Sequence, residues 1–357
     1  MHLFTLAVSA AVLAIPAWGW GKEGHRMTAA IAQIHLLPST REAICSILPE
    51  DSDCNLANVA TWPDDVRKTE VWKWSANLHF VNGIDDSPPK ECSFGTKGWE
   101  KPSDRHVLNA IVNMTRRVES SYGDERDFSL RFLTHFLGDI HQPLHLTGRY
   151  FGGNLVPVLF GEKKTGLHTV WDDDLVMQRI ESVESSAYAH PLQTSGTALG
   201  RNHQIEAALN GSNYDPLVRW IVLEGIDGRW ATEIKQWTTC PQITTTNQVD
   251  QQILGLDAPP FNDPTNLPVC PYHWAKASHR LLCDFIWRAD LEGVEDSKKA
   301  VYKIRLDTPE YAGQVGERKM IEEQIAKGGL RLALALNTIL GSEEDKRAFG
   351  LLFGVKL

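Results

Sequence analysis

Apolar residues recur every three or four positions along most of the chain, a period typical of amphipathic helices. In the segment 24–37 they form a single stripe, made of Met27, Ala30, Ile31 and Ile34. A second helix is predicted after the cap Pro38-Ser39-Thr40. The remaining predicted helices are 104–120, 130–140, 171 through the 180s, 202–209, 215–236, 274–287 and 317–340, the last ended by Gly341. The pattern predicts a mainly α protein.

Three stretches depart from the helical period. Residues 155–160 alternate enough to predict a strand, and residues 162–165 predict the turn of a small hairpin. We predict the apolar piece Leu78–Asn82 to be extended. From 238 to 271 the composition shifts to Thr, Gln, Asn and Pro, which predicts a long irregular insertion. Since no internal repeat is present, we expect one helical domain with a minor β-hairpin.

The amino terminus has features of a secretory signal. Leu3–Ile15 is an apolar run too short to span a membrane, and small residues follow it at Ala17 and Gly19, although a basic n-region is missing. We predict residues 1–19 to be a signal peptide; cleavage after Ala17 is the alternative. No later segment is long and apolar enough to span a membrane. We therefore expect a secreted protein without stable membrane association.

The cysteines and the sequons agree with that compartment. Six cysteines follow the predicted signal: Cys45, Cys54, Cys92, Cys240, Cys270 and Cys283. An even number in a secreted chain indicates disulfides, although six cysteines allow many connectivities. No pair has the C-x-x-C spacing, which argues against a cysteine-held zinc. Asn113 and Asn210 begin N-glycosylation sequons.

The formal net charge of −9 argues against a duplex binder coated in Lys and Arg. It does not exclude a nuclease, because bound cations would offset clustered carboxylates and create a locally positive site. The question is therefore whether the carboxylates are placed to hold cations.

One pair of residues suggests that they are. His135 and Asp139 are four residues apart in a predicted helix, so both side chains project from one face. An imidazole and a carboxylate on one face are typical zinc ligands, but a single pair of this kind is more often a buried core pair. The same spacing recurs at His168 and Asp172, and His145 follows the first helix closely. This recurrence favours metal binding.

The full set of candidate ligands is larger: His25, Asp64, His79, His135, Asp139, His145, His168 and Asp172. An imidazole-rich set favours zinc over magnesium. Because a zinc ion takes three or four protein ligands, eight side chains suit more than one ion if a carboxylate bridges. Cleavage before Trp20 would add another ligand, since a terminal amine and its own carbonyl oxygen can chelate a metal.

At these residues the chain closely resembles the secreted zinc-dependent single-strand-specific nucleases of fungi and plants, which also act as 3′-nucleotidases. The matching segments are Trp20-Gly21, Gly24-His25, Asn58–Asp64, Leu78-His79-Phe80, Thr134–His145, Gly152-Gly153-Asn154, Leu167–Asp172 and Ile325–Ala333. The resemblance implies a mainly α-helical fold similar to the bacterial zinc-dependent phospholipases C. It also implies a nuclease domain over 20–341, followed by a tail over 342–357. The insertion at about 238–271 looks longer than is usual in the family.

The resemblance implies three zinc ions. The first would be held by Asp64, His79, His135 and Asp139. The second would take the Trp20 amine and carbonyl, His25 and the bridging Asp139. The third would take His145, His168 and Asp172. The resemblance also implies a Cys92–Cys283 disulfide, after which we expect Cys45–Cys54 and Cys240–Cys270. His141 is left off the metals, because it falls on another face of the helix.

Three further residues have roles implied by the resemblance. Arg67 would stabilise transition-state charge, a role suited to a fixed guanidinium; its alternative is a surface salt bridge with Asp64 or Asp65. Phe80 would stack on a nucleobase, and its alternative is core packing. Asn154 would hydrogen-bond the base or the phosphate.

The predicted activity is zinc-assisted hydrolysis of single-stranded DNA and RNA to 5′-phosphate products, with 3′-nucleotidase activity, by a monomer. Asp64 and Asp139 would hold the catalytic ions, and Arg67 would assist them. A zinc phospholipase C on the same scaffold is the alternative enzyme, and a secreted zinc-binding protein without catalysis is the third possibility. Phe80 and the Gly152-Gly153-Asn154 loop favour the nuclease.

Overall fold

A computed structural model describes residues 20–183, 186–194, 199–241, 268–291 and 302–355. Its longer helices are α1 (Lys22–Ile34), α2 (Pro38–Ile47), α3 (Val107–Ser120), α4 (Gly123–Asp139), α5 (Pro271–Leu281) and α6 (Met320–Leu340). Within the described residues, the only sheet is an antiparallel hairpin of β1 (Pro157–Phe160) and β2 (Lys163–Gly166). The predicted mainly α class is confirmed.

Shorter elements join these helices. The short α-helices are Leu56–Val59, Trp62–Val66, Leu167–Thr169, Leu175–Glu181, Leu199–Glu206, Asp215–Trp220, Ile234–Thr238, Gln314–Arg318 and Glu343–Phe349. The 3₁₀ segments are Glu50–Ser52, Lys73–His79, Pro143–Leu146 and Ala289–Leu291. The π-helical segments are Val170–Asp174, Ile221–Arg229, Leu282–Ile286 and Pro309–Gly313.

Helix α4 lies at the centre of the molecule and packs against α1, α3 and α6. Its second half is buried at nearly every position from Ser129 to Asp139, as expected for a helix with neighbours on all sides. Helices α1 and α6 approach closely because α6 carries glycine at the crossing. A Cβ added to Gly329 would lie 2.5 Å from Cγ2 of Ile31. The last turn of α4 is therefore enclosed by packed helices.

Several boundaries differ from the prediction. Helix α4 begins at Gly123 rather than near residue 130, because its exposed first turns are polar and lack the apolar period. The helix predicted over 317–340 is interrupted at Lys319, whose φ of 58° is left-handed. In the hairpin, residues predicted to turn at 163–165 are strand β2 instead.

The segment predicted as extended at Leu78–Asn82 is also different. Residues Lys73–His79 form a 3₁₀ helix, and only from Phe80 does the backbone become extended. Local bonds such as Ser75 N–H to the Trp72 carbonyl (2.9 Å) stabilise the tight turn. A short apolar run is compatible with an extended strand and with a 3₁₀ helix, so the sequence pattern did not distinguish the two conformations.

The structure contains three disulfides, Cys45–Cys54, Cys92–Cys283 and Cys240–Cys270. The predicted signal peptide, and most of the insertion predicted at about 238–271, lie outside the described residues. Beyond residue 341 the chain forms the helix Glu343–Phe349 and buries Leu352. Among the described helices, none combines the length and the apolar character that crossing a membrane would require.

Candidate metal centre

Helix α4 ends at Asp139, a fully buried carboxylate surrounded by imidazoles. Its Oδ2 atom lies 3.2 Å from Nδ1 of His79 and 3.4 Å from Nε2 of His135. Its Oδ1 atom lies 3.4 Å from Nε2 of His25. Around a tetrahedral zinc with bonds of about 2.0–2.1 Å, neighbouring ligand atoms are about 3.3 Å apart. The two oxygens of Asp139 thus face different imidazoles at the spacing of shared metal ligands.

The first group of donors brings three elements together. Oδ1 of Asp64, from the short helix Trp62–Val66, lies 3.6 Å from Nδ1 of His79 and 3.7 Å from Nε2 of His135. His79 ends the 3₁₀ segment, and His135 lies one turn before Asp139 in α4. These side chains could hold one metal ion.

The second group lies on the other side of Asp139. His25, near the start of α1, has its ring stacked on that of His135 at a centroid distance of 3.7 Å. Donor atoms of His25, His135 and Asp139 could hold an ion. The predicted first mature residue, Trp20, is fully buried. The N–H of Gly21 donates to the Asp172 carbonyl at 2.9 Å, which ties this terminus to the third group.

The third group consists of His145, His168 and Asp172. Nε2 of His168 lies 3.2 Å from Oδ2 of Asp172, and the rings of His145 and His168 stack at 5.2 Å. The other Asp172 oxygen accepts a hydrogen bond of 2.5 Å from Nε2 of Gln142. Gln142 was not selected from the sequence, because its spacing alone does not indicate which carboxylate it contacts.

Backbone carbonyls orient three of the imidazoles. Each Nδ1–H donates to a carbonyl oxygen: His135 to Ala60 (2.7 Å), His145 to His79 (2.7 Å) and His168 to Gly152 (2.6 Å). A carbonyl can only accept, so each of these Nδ1 atoms carries the proton and each Nε2 keeps its lone pair for a metal. The backbone around these three imidazoles therefore leaves each Nε2 atom available to bind a metal ion.

Unpaired buried atoms indicate what the centre requires. Both oxygens of Asp139, both ring nitrogens of His25 and Oδ1 of Asp64 are buried without a hydrogen-bond partner among the described residues. Such groups are costly unless a partner compensates them, and divalent cations would do so. The donor set therefore fits metal ions.

Burial also shifts the protonation of these side chains. It raises the pKa of Asp139 to about 8, and it raises the pKa of Asp172 to about 7 against the opposing effect of His168. It lowers the pKa of His25 to about 4, so that this imidazole is neutral at physiological pH. Without metal, the carboxyls of Asp139 and Asp172 therefore bind protons at pH values below these pKa values. A cation would displace those protons.

Gly138 is a further residue that sequence reasoning did not select. A Cβ at this position would lie 2.6 Å from Nδ1 of His25, so the glycine makes room for the imidazole. A glycine inside a predicted helix, directly before Asp139, was the available signal.

The three residues expected to contact substrate lie around this centre. Arg67 is buried rather than on the surface, with Nη2 3.1 Å from Oδ1 of Asp64. Phe80 is partly buried and lines a cavity of about 130 Å³ together with Lys101 and Arg105. The Asn154 side chain donates from Nδ2 to the Phe151 carbonyl at 2.8 Å, which leaves Oδ1 as the atom to accept from a substrate.

His141 uses both ring nitrogens in hydrogen bonds to residues outside the ligand groups. Its Nδ1–H donates to the Leu137 carbonyl at 2.6 Å, and its Nε2 accepts from Arg331 at 2.5 Å. A separate cluster joins Asp86 and His279 near Cys92, but that sulfur is in a disulfide and offers no thiolate.

The family model described as S1/P1 Nuclease matches residues 20–341. Nuclease P1 of Penicillium citrinum is 29% identical over 333 residues, which cover 92% of this chain and 100% of that protein. Endonuclease 4 of Arabidopsis thaliana is 28% identical over 337 residues, covering 91% of this chain and 90% of that protein. Nuclease S1 of Aspergillus oryzae is 37% identical over 179 residues, covering 48% of this chain and 60% of that protein. All three ligand groups lie within the matched residues.

Proposed function

Since this chain belongs to the S1/P1 nuclease family and is an endonuclease, we propose that it hydrolyses single-stranded DNA and RNA to 5′-phosphate products with three zinc ions. We also propose that it removes the phosphate of 3′-mononucleotides. The observation that carries the metal assignment is the position of Asp139, whose two oxygens face His25 on one side and His79 with His135 on the other.

The proposed zinc ligands follow the three groups. One ion would be held by Asp64, His79, His135 and Asp139. A second would be held by His25, Asp139 and the amine and carbonyl of a mature Trp20. A third would be held by His145, His168 and Asp172. The neutral imidazoles and the orphaned buried carboxylate oxygens support zinc at these positions.

When bound, zinc ions would lower the pKa of a water molecule and polarise the phosphate, as in metal-assisted phosphodiester hydrolysis. The side chains of the protein would orient the substrate. The Arg67 guanidinium is buried beside Asp64, where it would bind a phosphate oxygen and stabilise developing negative charge. Because this guanidinium is buried and paired with Asp64, it would need little reorganisation when substrate enters.

The substrate would be held by its base as well as by its phosphate. Phe80 follows His79 directly and lines the cavity with two cations, Lys101 and Arg105, and one carboxylate, Glu100. The excess of positive charge suits phosphates beside a stacked base. Stacking on one aromatic face tolerates any base but needs an unpaired one, which supports single-strand preference. Oδ1 of Asn154 would accept a hydrogen bond from the base.

The decisive assay compares substrates. Purified protein should hydrolyse single-stranded RNA and DNA and a 3′-mononucleotide, and it should leave phosphatidylcholine intact. Cleavage of the lipid alone would establish the phospholipase C alternative. Bound zinc without hydrolysis of any of these substrates would indicate a zinc-binding protein that lacks catalysis.

We further propose that the protein is secreted as a monomer, after removal of residues 1–19, with its nuclease domain over 20–341 and a tail over 342–357. The three disulfides support an oxidising compartment. The sequon residues Asn113 and Asn210 are both exposed, which leaves them accessible to glycosylation. N-terminal sequencing, glycan removal and size-exclusion chromatography with light scattering test these statements.

A further inference from the structure

Arg331, in the middle of α6, is a buried cation that the proposed chemistry does not use. Its side chain donates from Nε to the Trp237 carbonyl at 2.8 Å, and its guanidinium lies over the ring of Trp274 at 5.3 Å. Among the described residues, its hydrogen bonds and ring contact include no carboxylate. Burial lowers the pKa of Arg331 to about 9, so the side chain stays charged at neutral pH. A buried charge without a counter-ion is costly, which makes its remaining contact informative.

That contact is with His141, two residues after Asp139. Nη1 of Arg331 donates to Nε2 of the imidazole at 2.5 Å. A guanidinium can only donate, so Nε2 carries the lone pair and Nδ1 carries the proton. The Nδ1–H then donates to the Leu137 carbonyl at 2.6 Å. Arg331 therefore selects the tautomer of His141 that can bond to the backbone of α4.

The two bonds of His141 cap the last turn of α4. The last four carbonyls of an α-helix have no partner within the helix, so other donors must satisfy them. The backbone N–H of His141 donates to the Gly138 carbonyl at 2.9 Å, and its side chain donates to that of Leu137. Asp139 is the next residue of the same turn. A cation behind this cap also suits the negative end of the α4 dipole.

Helix α6 leaves space for the cap at a glycine. A Cβ added to Gly328 would lie 3.3 Å from Nδ1 of His141 and 3.4 Å from the Leu137 carbonyl oxygen. It would also lie 3.0 Å from Cγ2 of Thr28, which belongs to α1, the helix of His25. One point of α6 therefore contacts the cap of α4 and the helix that supplies another proposed ligand.

Resting on the metal assignment of the proposed function, we propose that Arg331 is a positioning residue for Asp139. Through His141 it fixes the last turn of α4, so that one carboxylate oxygen faces His25 and the other faces His79. A carboxylate that serves two ions tolerates less rotation than one that serves a single ion, so its turn has to be held firmly. The third ligand group takes no residue from α4 and should depend less on this contact.

The test measures zinc affinity by chelator competition in Arg331→Met, which keeps an unbranched side chain and removes the guanidinium. We expect the affinity for the ions that share Asp139 to fall about 10- to 100-fold, with a change below about threefold for the third ion. The third ion is measured alone by adding Arg331→Met to Asp139→Asn. Equal losses for all ions, or no loss, would overturn the proposal.

Arg219→Met is the matched control for the loss of a buried arginine. Arg219 is 4% exposed, as is Arg331, but it donates to the Glu206 carboxylate at 2.7 Å, away from the ligand groups. This variant should lose stability and keep the wild-type affinity for all zinc ions. Selective weakening of the Asp139 ions in this control would show that general destabilisation is sufficient, and would overturn the positioning role.

A double-variant comparison tests whether Arg331 acts through His141. In His141→Asn the shorter amide can still donate to the Leu137 carbonyl but does not reach the guanidinium. Each single substitution should weaken zinc binding at Asp139, and the variant with both should lose no more than the worse of the two, because they break one contact. Losses that add would overturn the proposed route through His141.

Failure of the proposed function gives a different result. If zinc were bound but no nucleotide substrate were hydrolysed, only the nuclease assignment would fail, and the affinity comparison would still decide. If the wild-type protein bound no zinc, hydrogen exchange of the metal-free protein would decide. The segment 130–142 should exchange about tenfold faster in Arg331→Met than in wild type or Arg219→Met, because its cap is weakened. Equal exchange in all three, or acceleration spread over the whole chain, would overturn the proposal.

Discussion

Oδ1 of Asp139 lies 3.4 Å from Nε2 of His25, although the two residues belong to different helices and are far apart in the chain. The second oxygen of the same carboxylate faces His79 and His135. One side chain therefore joins two ligand groups, and its loss should affect both.

Asp139→Asn should reduce bound zinc from three ions to one, because an amide lacks the charge and the second anionic oxygen needed for bridging. Hydrolysis of single-stranded RNA should fall to background. Metal content per chain, measured by inductively coupled plasma mass spectrometry, checks the first statement. The control is Asp65→Asn, an exposed carboxylate next to Asp64, which should keep all three ions. Loss of a single ion from Asp139→Asn would contradict the bridging role.

Gln142→Glu should weaken the third zinc by about 10- to 100-fold, the usual effect of losing a group that orients a metal ligand. The amide donates to Asp172 at 2.5 Å and accepts from the Leu144 N–H at 2.6 Å. Glutamate keeps the acceptor, loses the donor and places a second carboxylate against Asp172, so the lost hydrogen bond and the repulsion between the two carboxylates both act on this zinc ligand. Zinc affinity measured by chelator competition checks this. Equal affinity in both proteins would assign Gln142 to folding alone.

Gly138→Ala should expel the ion held by His25, because the added Cβ would lie 2.6 Å from Nδ1 of that imidazole. Gly200→Ala is the matched control, also in a helix but with nothing within 4 Å of the added Cβ. Because Gly200 is the second residue of its helix, that substitution should raise the free energy of unfolding by less than the roughly 0.5–1 kcal/mol expected in a helix interior. Chemical denaturation and metal analysis of both variants separate the local clash from a general effect of alanine.

Zinc affinity should rise with pH and level off above about pH 8. Burial raises the pKa of Asp172 to about 7 and that of Asp139 to about 8, so at lower pH each metal-free carboxyl binds a proton that zinc must displace. His25, with its pKa lowered to about 4, adds no such competition near neutrality. Chelator competition from about pH 6 to 9 checks this, and a flat profile would contradict it. Asp172→Asn should remove the part of this pH dependence that is centred near pH 7.

Extending the mature terminus by one residue before Trp20 should remove one zinc, because the α-amino ligand would be replaced by an amide. The burial of Trp20 and the Gly21–Asp172 hydrogen bond keep this terminus at the centre. Intact-mass analysis and zinc stoichiometry of the two forms check the prediction. Three ions in the extended protein would exclude the amine as a ligand.

Much of the fold could be predicted from the sequence because helices impose a local period on apolar residues. That period located α1, α3 and α6 to within a few residues, but it missed the polar first turns of α4, which face solvent. It also missed the 3₁₀ backbone of Lys73–His79, because a short apolar run is compatible with either conformation.

The sequence by itself determined two pairs of candidate ligands, His135 with Asp139 and His168 with Asp172, because residues four apart on a helix project from one face. Only the tertiary structure decided which oxygen of Asp139 faces which imidazole and that Gln142 reaches Asp172. These relationships join atoms from segments far apart in the chain. No local pattern encodes them, because they depend on how the packed helices orient one another.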